Sequence, residues 1–288
     1  MDTATLHQIF LNSTGICTDT RKIKNNCLFF ALKGDNFNGN SFASDALAKG
    51  AKKVIIDEPE YQTTDGNSIL CEDVLTELQA LATYHRQYLD LPIIALTGSN
   101  GKTTTKELLH AVLSEKFNVT ATVGNLNNHI GVPLTLLSMT TETEIGIVEM
   151  GANHLREIAS LSNIAKPNYG YITNFGKAHL EGFGSLEGVV KGKSELYDFI
   201  AQHGELVFVN GTDSKQMELT THLERITFGD DAQDFTVSLL AANETVTVNF
   251  QDVEIKSKLV GAYNFNNIAA AIAIGSYFEV ELLAIKRA

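Results

Sequence analysis

Ile93-Ile94-Ala95-Leu96-Thr97-Gly98-Ser99-Asn100-Gly101-Lys102-Thr103-Thr104-Thr105 is the stretch whose reading decides the fold. It opens behind Pro92 as a continuous apolar run, short enough for a strand buried on both faces. Gly98 and Gly101 bracket Ser99-Asn100, so the backbone can turn sharply and present N–H groups to a ligand. Lys102 and three threonines follow, opening a helical stretch from Lys106 to Lys116. A strand, a glycine loop and a helix N-terminus make an anion site, because unpaired N–H groups and the helix dipole favour phosphate. In such a site Lys102 reaches the β- and γ-phosphates and the Thr103 hydroxyl ligates Mg²⁺. The usual spacing is G-x-x-x-x-G-K-[ST], whereas only Ser99-Asn100 separate the glycines here. The pattern misses the standard motif but keeps the context that motif demands.

The rest of the composition bounds what surrounds this loop. The chain has 288 residues, 44% hydrophobic and 19% charged, which suits a globular protein with ample core. Its length predicts about two domains. No apolar run approaches the ~20 residues of a membrane span. Met1-Asp2-Thr3-Ala4 carries neither the basic region nor the apolar core of a signal peptide. Cys17, Cys27 and Cys71 are odd in number and lack metal spacing, so they read as reduced thiols. These features predict a cytoplasmic protein, and a monomer is expected. A net charge of −12 excludes the basic stripe of a nucleic-acid surface. It does not exclude nucleotides, which need only local N–H groups, a lysine and a metal.

Before the glycine loop, Cys27–Lys33 reads as a buried strand, Ser41 caps a helix through Lys49, and Val54–Asp57 is a second strand. Apolar residues recur at helical spacing from Asp73 to Tyr88. This predicts a small α/β domain over 1–90, closed by Asp90-Leu91-Pro92. Over 91–288, strands at Val119–Thr122, Ile145–Glu149, Tyr169–Thr173 and Leu206–Val209 alternate with helices at Lys106–Lys116, His154–Ser162 and Leu186–Ala201. That alternation implies a parallel sheet with right-handed crossovers and ligands at the carboxyl ends of the strands. Past Gly211, the short runs Arg225–Phe228, Phe235–Leu240, Thr245–Phe250 and Val253–Leu259 predict an antiparallel edge. An alanine-rich helix, Phe265–Phe278, follows.

Several polar groups fall at predicted strand ends. Glu149 closes its strand and could hold Mg²⁺ opposite a P-loop threonine, although an acid there can equally cap the next helix. His179 lies in the loop after Tyr169–Thr173; a lone loop histidine is usually only a surface or hydrogen-bonding residue. Lys191 and Lys193 are spaced i, i+2 and cannot share a helix face.

At this point the chain resembles the Mur ligases, the ATP-dependent amide-forming enzymes of peptidoglycan precursor synthesis. TGSNGKTTT is similar to that family's shortened P-loop. EMGANH, ITNFGKAHLEGFGSLEGVVKGKSELY and GAYNFNNIAAAIAIG resemble further family segments in the family's order. Gly124–Leu137 (GNLNNHIGVPLTLL) and the opening block from Cys17 resemble the type that adds D-alanyl-D-alanine, with a uridine-nucleotide-binding domain first.

The resemblance implies roles for individual residues. Gly98, Ser99, Asn100, Gly101, Lys102, Thr103 and Thr104 would bind the ATP phosphates. Thr103 and Glu149 would hold one Mg²⁺, and His179 would help hold a second. Lys193 stands where the family carries a carbamylated lysine, a cation turned into a carboxylate-like ligand. Asn264 and Asn267 match nucleotide-contacting asparagines, although Tyr263 replaces the family's usual histidine. Thr18, Asp19, Thr20 and Arg21, with Asn128, would meet the UDP-N-acetylmuramoyl-tripeptide acceptor. The implied reaction forms an acyl phosphate and ADP, and D-alanyl-D-alanine then displaces phosphate. Because the family carries a third domain after the alanine-rich helix, the chain is expected to lack it and to be inactive alone. The neighbouring readings are another Mur-type ligase, a folylpolyglutamate or cyanophycin synthetase, or a nucleotide-binding fragment without ligase activity.

Overall fold

The computed structural model describes residues 1–288, which form two compact units. The first comprises Met1–Asp90 with Leu136–Thr140, and the second Leu91–Thr135 with Thr141–Ala288.

The first unit is built on a four-stranded parallel sheet in the order Ile16–Cys17, Leu28–Phe30, Lys53–Ile56, Ser68–Leu70. Leu28–Phe30 and Val54–Ile56 are apolar throughout and completely buried, as strands covered on both faces must be. The helix Val74–Leu89 starts where the Asp73 carboxylate accepts from the Thr76 N–H. Its buried Val74, Leu78, Leu81, Ala82 and His85 share one face at helical spacing. Asp90, in the left-handed region at φ 48°, ends it.

The second unit holds a seven-stranded sheet. Its order is Phe235–Thr236, Arg225–Gly229, Leu206–Asn210, Tyr169–Ile172, Ile93–Thr97, Ile145–Glu149, Val119–Ala121, and every pairing is parallel. Ile93–Thr97 is therefore an inner strand, and all five of its residues are buried. From it the chain crosses one way to Val119–Ala121, and from Ile145–Glu149 the other way to Tyr169–Ile172. Right-handed crossovers in opposite directions put their helices on opposite faces. Accordingly, the helix Lys102–Ser114 packs with Phe265–Tyr277, and Glu157–Ala165 packs with Leu186–His203. The adjacent ends of Ile93–Thr97 and Ile145–Glu149 thus form the crevice where ligands bind in such sheets.

The antiparallel edge is only partly where the sequence predicts it. Arg225–Gly229 and Phe235–Thr236 extend the parallel sheet instead. The helix Ser214–Leu219, capped by Asp213, supplies the crossover into Arg225–Gly229, and it is too short to show a helical period in the sequence. Asp234 pins the outermost strand by accepting from the Thr227 N–H and hydroxyl, both at 2.8 Å. The antiparallel strands are Ser238–Ala241, Thr247–Phe250 and Val253–Lys256, which form a separate sheet. Its Val248, Phe250 and Ile255 join the core around Phe228 and the alanine-rich helix Phe265–Tyr277. No helix is long and apolar enough to cross a membrane.

Candidate functional site

The glycine loop leaves the strand at Thr97, and the helix begins at Lys102, four residues earlier than its apolar periodicity predicts. Gly98 and Gly101 take φ values of +144° and +81°, in the region that favours glycine. Both are also short of space. A Cβ on Gly98 would lie 1.9 Å from Thr173 Oγ1, and one on Gly101 would lie 2.7 Å from Asn267 Oδ1. The first intrahelical bond runs from Thr105 N–H to the Gly101 carbonyl, at 2.8 Å. By helix geometry the N–H groups of Gly101 through Thr104 therefore have no intrahelical acceptor and are free for an anion. Those of Ser99 and Asn100 are engaged, donating to the Asn174 backbone carbonyl and side-chain Oδ1 at 3.1 and 3.2 Å. Lys102 folds over the loop, its Nζ donating to the Gly98 and Ser99 carbonyls at 2.8 and 3.3 Å. Burial pushes its pKa down, and the nearby Glu149 charge opposes that shift.

Strand register places Glu149 beside this loop, since it pairs with Leu96. Glu149 is 1% exposed. Its Oε1 accepts from Asn127 Nδ2 at 2.7 Å and from the Thr103 hydroxyl at 3.4 Å. Its Oε2 is buried without a hydrogen-bond partner. A buried carboxylate oxygen left unpaired is costly, and a hard cation taking oxygen ligands relieves that cost. No three His, Cys, Asp or Glu side chains converge to hold a metal by themselves. A single buried carboxylate with one oxygen unpaired fits Mg²⁺, which keeps several waters and shares phosphate oxygens with one or two carboxylates.

A cleft of about 480 Å³ opens here, with Lys102, Asn127, Asn128, Ala152, Glu157 and His179 among its walls. His179 adopts φ 52°, caps the helix Leu180–Phe183, and is half exposed with Nδ1 3.9 Å from Glu181 Oε1. Lys193 projects from the helix Leu186–His203 and is 1% exposed. Its Nζ donates to the Ala152 carbonyl at 3.2 Å and lies 5.4 Å from the Phe183 ring centre. Burial, reinforced by the Lys102 charge, pushes its pKa down to about 8, against the opposing pull of Glu157 and Glu195. Lys191, two positions away, is exposed.

Behind the loop, Asn267 Oδ1 accepts from the Thr105 hydroxyl at 3.1 Å, and its Nδ2 donates to Asn264 Oδ1 at 2.9 Å. Asn264 Nδ2 donates in turn to the Val260 carbonyl at 2.9 Å. Both asparagines are buried, whereas Tyr263 is 79% exposed. In the first unit, Asp19 caps the short turn Thr20–Lys22 and grips Arg21 through a forked ion pair, Nη2 to Oδ2 at 2.7 Å. The bond to Arg21 holds the Asp19 carboxyl well below the usual carboxylate range.

Residues 96–275 match the Mur ligase middle domain, and residues 12–85 match the family described as Mur ligase family, catalytic domain. The chain belongs to the Mur ligase family. Among curated Mur ligases, the UDP-N-acetylmuramoyl-tripeptide–D-alanyl-D-alanine ligase of Bacillus subtilis is 38% identical over 271 residues, covering 92% of this chain and 59% of its own length. Its Escherichia coli counterpart is 35% identical over 280 residues, covering 94% of the chain and 62% of itself. The chain thus spans about three fifths of the length of these relatives. MurF of Acinetobacter baumannii superposes with a TM-score of 0.83 at 30% identity, covering 99% of this chain and 66% of that one. MurF of Thermotoga maritima, solved in complex with ADP, gives 0.81 at 27% identity, covering 96% and 66%.

Within this Mur ligase site, some polar residues were not singled out from sequence. Asn127, not its neighbour, reaches Glu149; Asn128 Oδ1 accepts from the Ile130 and Gly131 N–H groups and starts a helix. Lys106 is fully buried and donates to the Gly124 carbonyl at 3.1 Å, fixing the start of that asparagine-rich loop. Periodicity alone cannot tell which of two adjacent asparagines turns inward, nor that a helical lysine is buried.

Proposed function

We propose that this chain binds ATP and a uridine-linked acceptor for an ATP-dependent, ADP-forming amide ligase of peptidoglycan precursor synthesis, acting in the cytoplasm. The reaction joins D-alanyl-D-alanine to UDP-N-acetylmuramoyl-tripeptide. The observation that carries the nucleotide half is the Thr103–Glu149 pair beside Lys102, with one carboxylate oxygen unpartnered. The names of the relatives support the choice of substrates.

On this reading Lys102 and the N–H groups of Gly101–Thr104 hold the ATP phosphates. Thr103, Glu149, His179 and Lys193 would hold Mg²⁺, which when bound supplies positive charge that lets one anion approach another. The acceptor carboxylate attacks the γ-phosphate, forming an acyl phosphate and expelling ADP. The dipeptide amine then attacks the activated carbonyl, and phosphate leaves. Catalysis of this kind is mostly in-line positioning and charge neutralisation. Carbamylation of Lys193 belongs to the same proposal, because the reaction with CO₂ needs the neutral amine that burial favours. Thr18, Asp19, Thr20, Arg21 and Asn128 are assigned to the acceptor, and Asn264 and Asn267 to the back wall of the nucleotide site.

Titration calorimetry tests the proposal. Mg²⁺–ATP should bind the unaltered chain and bind Lys102→Ala at least about a hundredfold more weakly, as expected for loss of a buried charge-assisted contact. Equal affinity of the two proteins would overturn the nucleotide assignment.

A further inference from the structure

Besides its own Lys102 contacts, the shortened loop is held from outside. Its two middle residues are fastened from outside by the chain that follows the neighbouring strand Tyr169–Ile172. Ser99 N–H donates to the Asn174 carbonyl at 3.1 Å, and Ser99 Oγ donates to the Gly176 carbonyl at 2.8 Å. The Asn174 side chain meets the Asn100 backbone twice, accepting from its N–H at 3.2 Å and donating to its carbonyl at 3.0 Å. Thr173 Oγ1 donates to that same carbonyl at 2.6 Å, from the space a Gly98 side chain would fill. Thr173 is itself buried, and its N–H continues the sheet ladder to the Thr97 carbonyl at 2.9 Å.

From this geometry we propose that Thr173 and Asn174 are positioning residues for the phosphate loop. They hold Ser99-Asn100 turned away from the ligand, so that Gly101 through Thr104 present their N–H groups to it. The proposal rests on the nucleotide reading given above. Standard loops place four residues between the glycines, and here Asn174 stands in for the missing backbone by pairing with Asn100 as an opposed strand would. The fastening also fixes the start of the segment that leads to His179.

The test uses the whole chain and two readouts. Mg²⁺–ATP affinity should fall about tenfold in Thr173→Val and in Asn174→Ala, the effect of one net hydrogen bond. Because both side chains serve the Asn100 carbonyl, the double variant should lose less than the product of the two. Thr173→Ser keeps the hydroxyl and should stay within about twofold of the unaltered chain. Native-state amide exchange at Asn100 should speed up about tenfold or more in Asn174→Ala, with the thermal midpoint little changed. Asn174→Asp, which keeps the acceptor and loses the donor, should show the affinity loss if Thr173→Val fails to fold. Folded variants binding ATP like the unaltered chain, while Lys102→Ala does not bind, would overturn the positioning role alone. Undiminished binding by Lys102→Ala would overturn the nucleotide reading and this proposal with it.

Discussion

Thr103 Oγ1 lies 3.4 Å from Glu149 Oε1, although the two residues are forty-six positions apart in the chain. The parallel pairing of Leu96 with Glu149 brings a helix start and a strand end to the same point, and the second carboxylate oxygen is left unpartnered.

That oxygen predicts opposite effects of one substitution with and without metal. Glu149→Gln removes a buried charge that lacks a full set of partners, so without Mg²⁺ it should be neutral or stabilising by about 1 kcal/mol. With Mg²⁺ present, nucleotide affinity should fall by about 10–100-fold, the loss of a charged contact. Thermal melts in chelator and calorimetry in Mg²⁺ check the two halves. A strongly destabilised Glu149→Gln in chelator would show that the carboxylate is already satisfied by the protein.

Lys193 gives a pH-dependent signature. Its folded pKa, about 8, lies below the 10.5 of an unburied lysine, so the unfolded chain binds the proton more tightly. Stability from this group is therefore lowest below pH 8 and rises with pH until about 10.5. In bicarbonate-free buffer at pH 7, Lys193→Met should stabilise the chain by about 2–3 kcal/mol, and the gain should vanish towards pH 10.5. Denaturant titrations across that window measure it. Labelled bicarbonate should give a carbamate resonance in the unaltered chain that strengthens with pH and is absent from Lys193→Met.

Gly98→Ala should cost at least about 2 kcal/mol, because a side chain is both strained at φ +144° and driven onto Thr173 Oγ1. Combining it with Thr173→Ala should restore only part of the loss, since the contact is relieved and the strain stays. Full recovery in the double variant would show that crowding was the whole effect.

Arg21 is 85% exposed and already forked onto Asp19, so its removal should leave the thermal midpoint unchanged. A UDP sugar should shift backbone resonances within residues 1–90, and Arg21→Ala should weaken that binding by about tenfold. Shifts restricted to residues beyond Asp90 would remove the first unit from acceptor binding.

The sequence shows the loop and its carboxylate because both are local signals. A continuous apolar run from Ile93 must be an inner strand, and Glu149 ends another such run. What it hides is contact between distant polar residues. Thr173 reads as the last residue of a strand and Asn174 as the first of a loop; only the sheet pairing to Thr97 brings them onto Asn100. Adjacent asparagines defeat the reading for the same reason. Asn127 and Asn128 are chemically identical, and a turn of the backbone decides which one meets Glu149. The run Arg225–Phe228 reads as antiparallel but pairs parallel, because the six residues of the crossover helix Ser214–Leu219 are too few to show a helical period.

The asparagine pair behind the loop has a bearing on how the molecule is made. Asn267 is 162 residues beyond the Thr105 hydroxyl it accepts from. During synthesis the phosphate loop leaves the ribosome first and waits for its back wall, on the order of ten seconds at usual elongation rates. Throughout that interval the Thr105 hydroxyl lacks the acceptor it has in the folded chain. The back wall of the loop is therefore complete only after the alanine-rich helix Phe265–Tyr277 has been made, and the earlier strands of the sheet must fold without it.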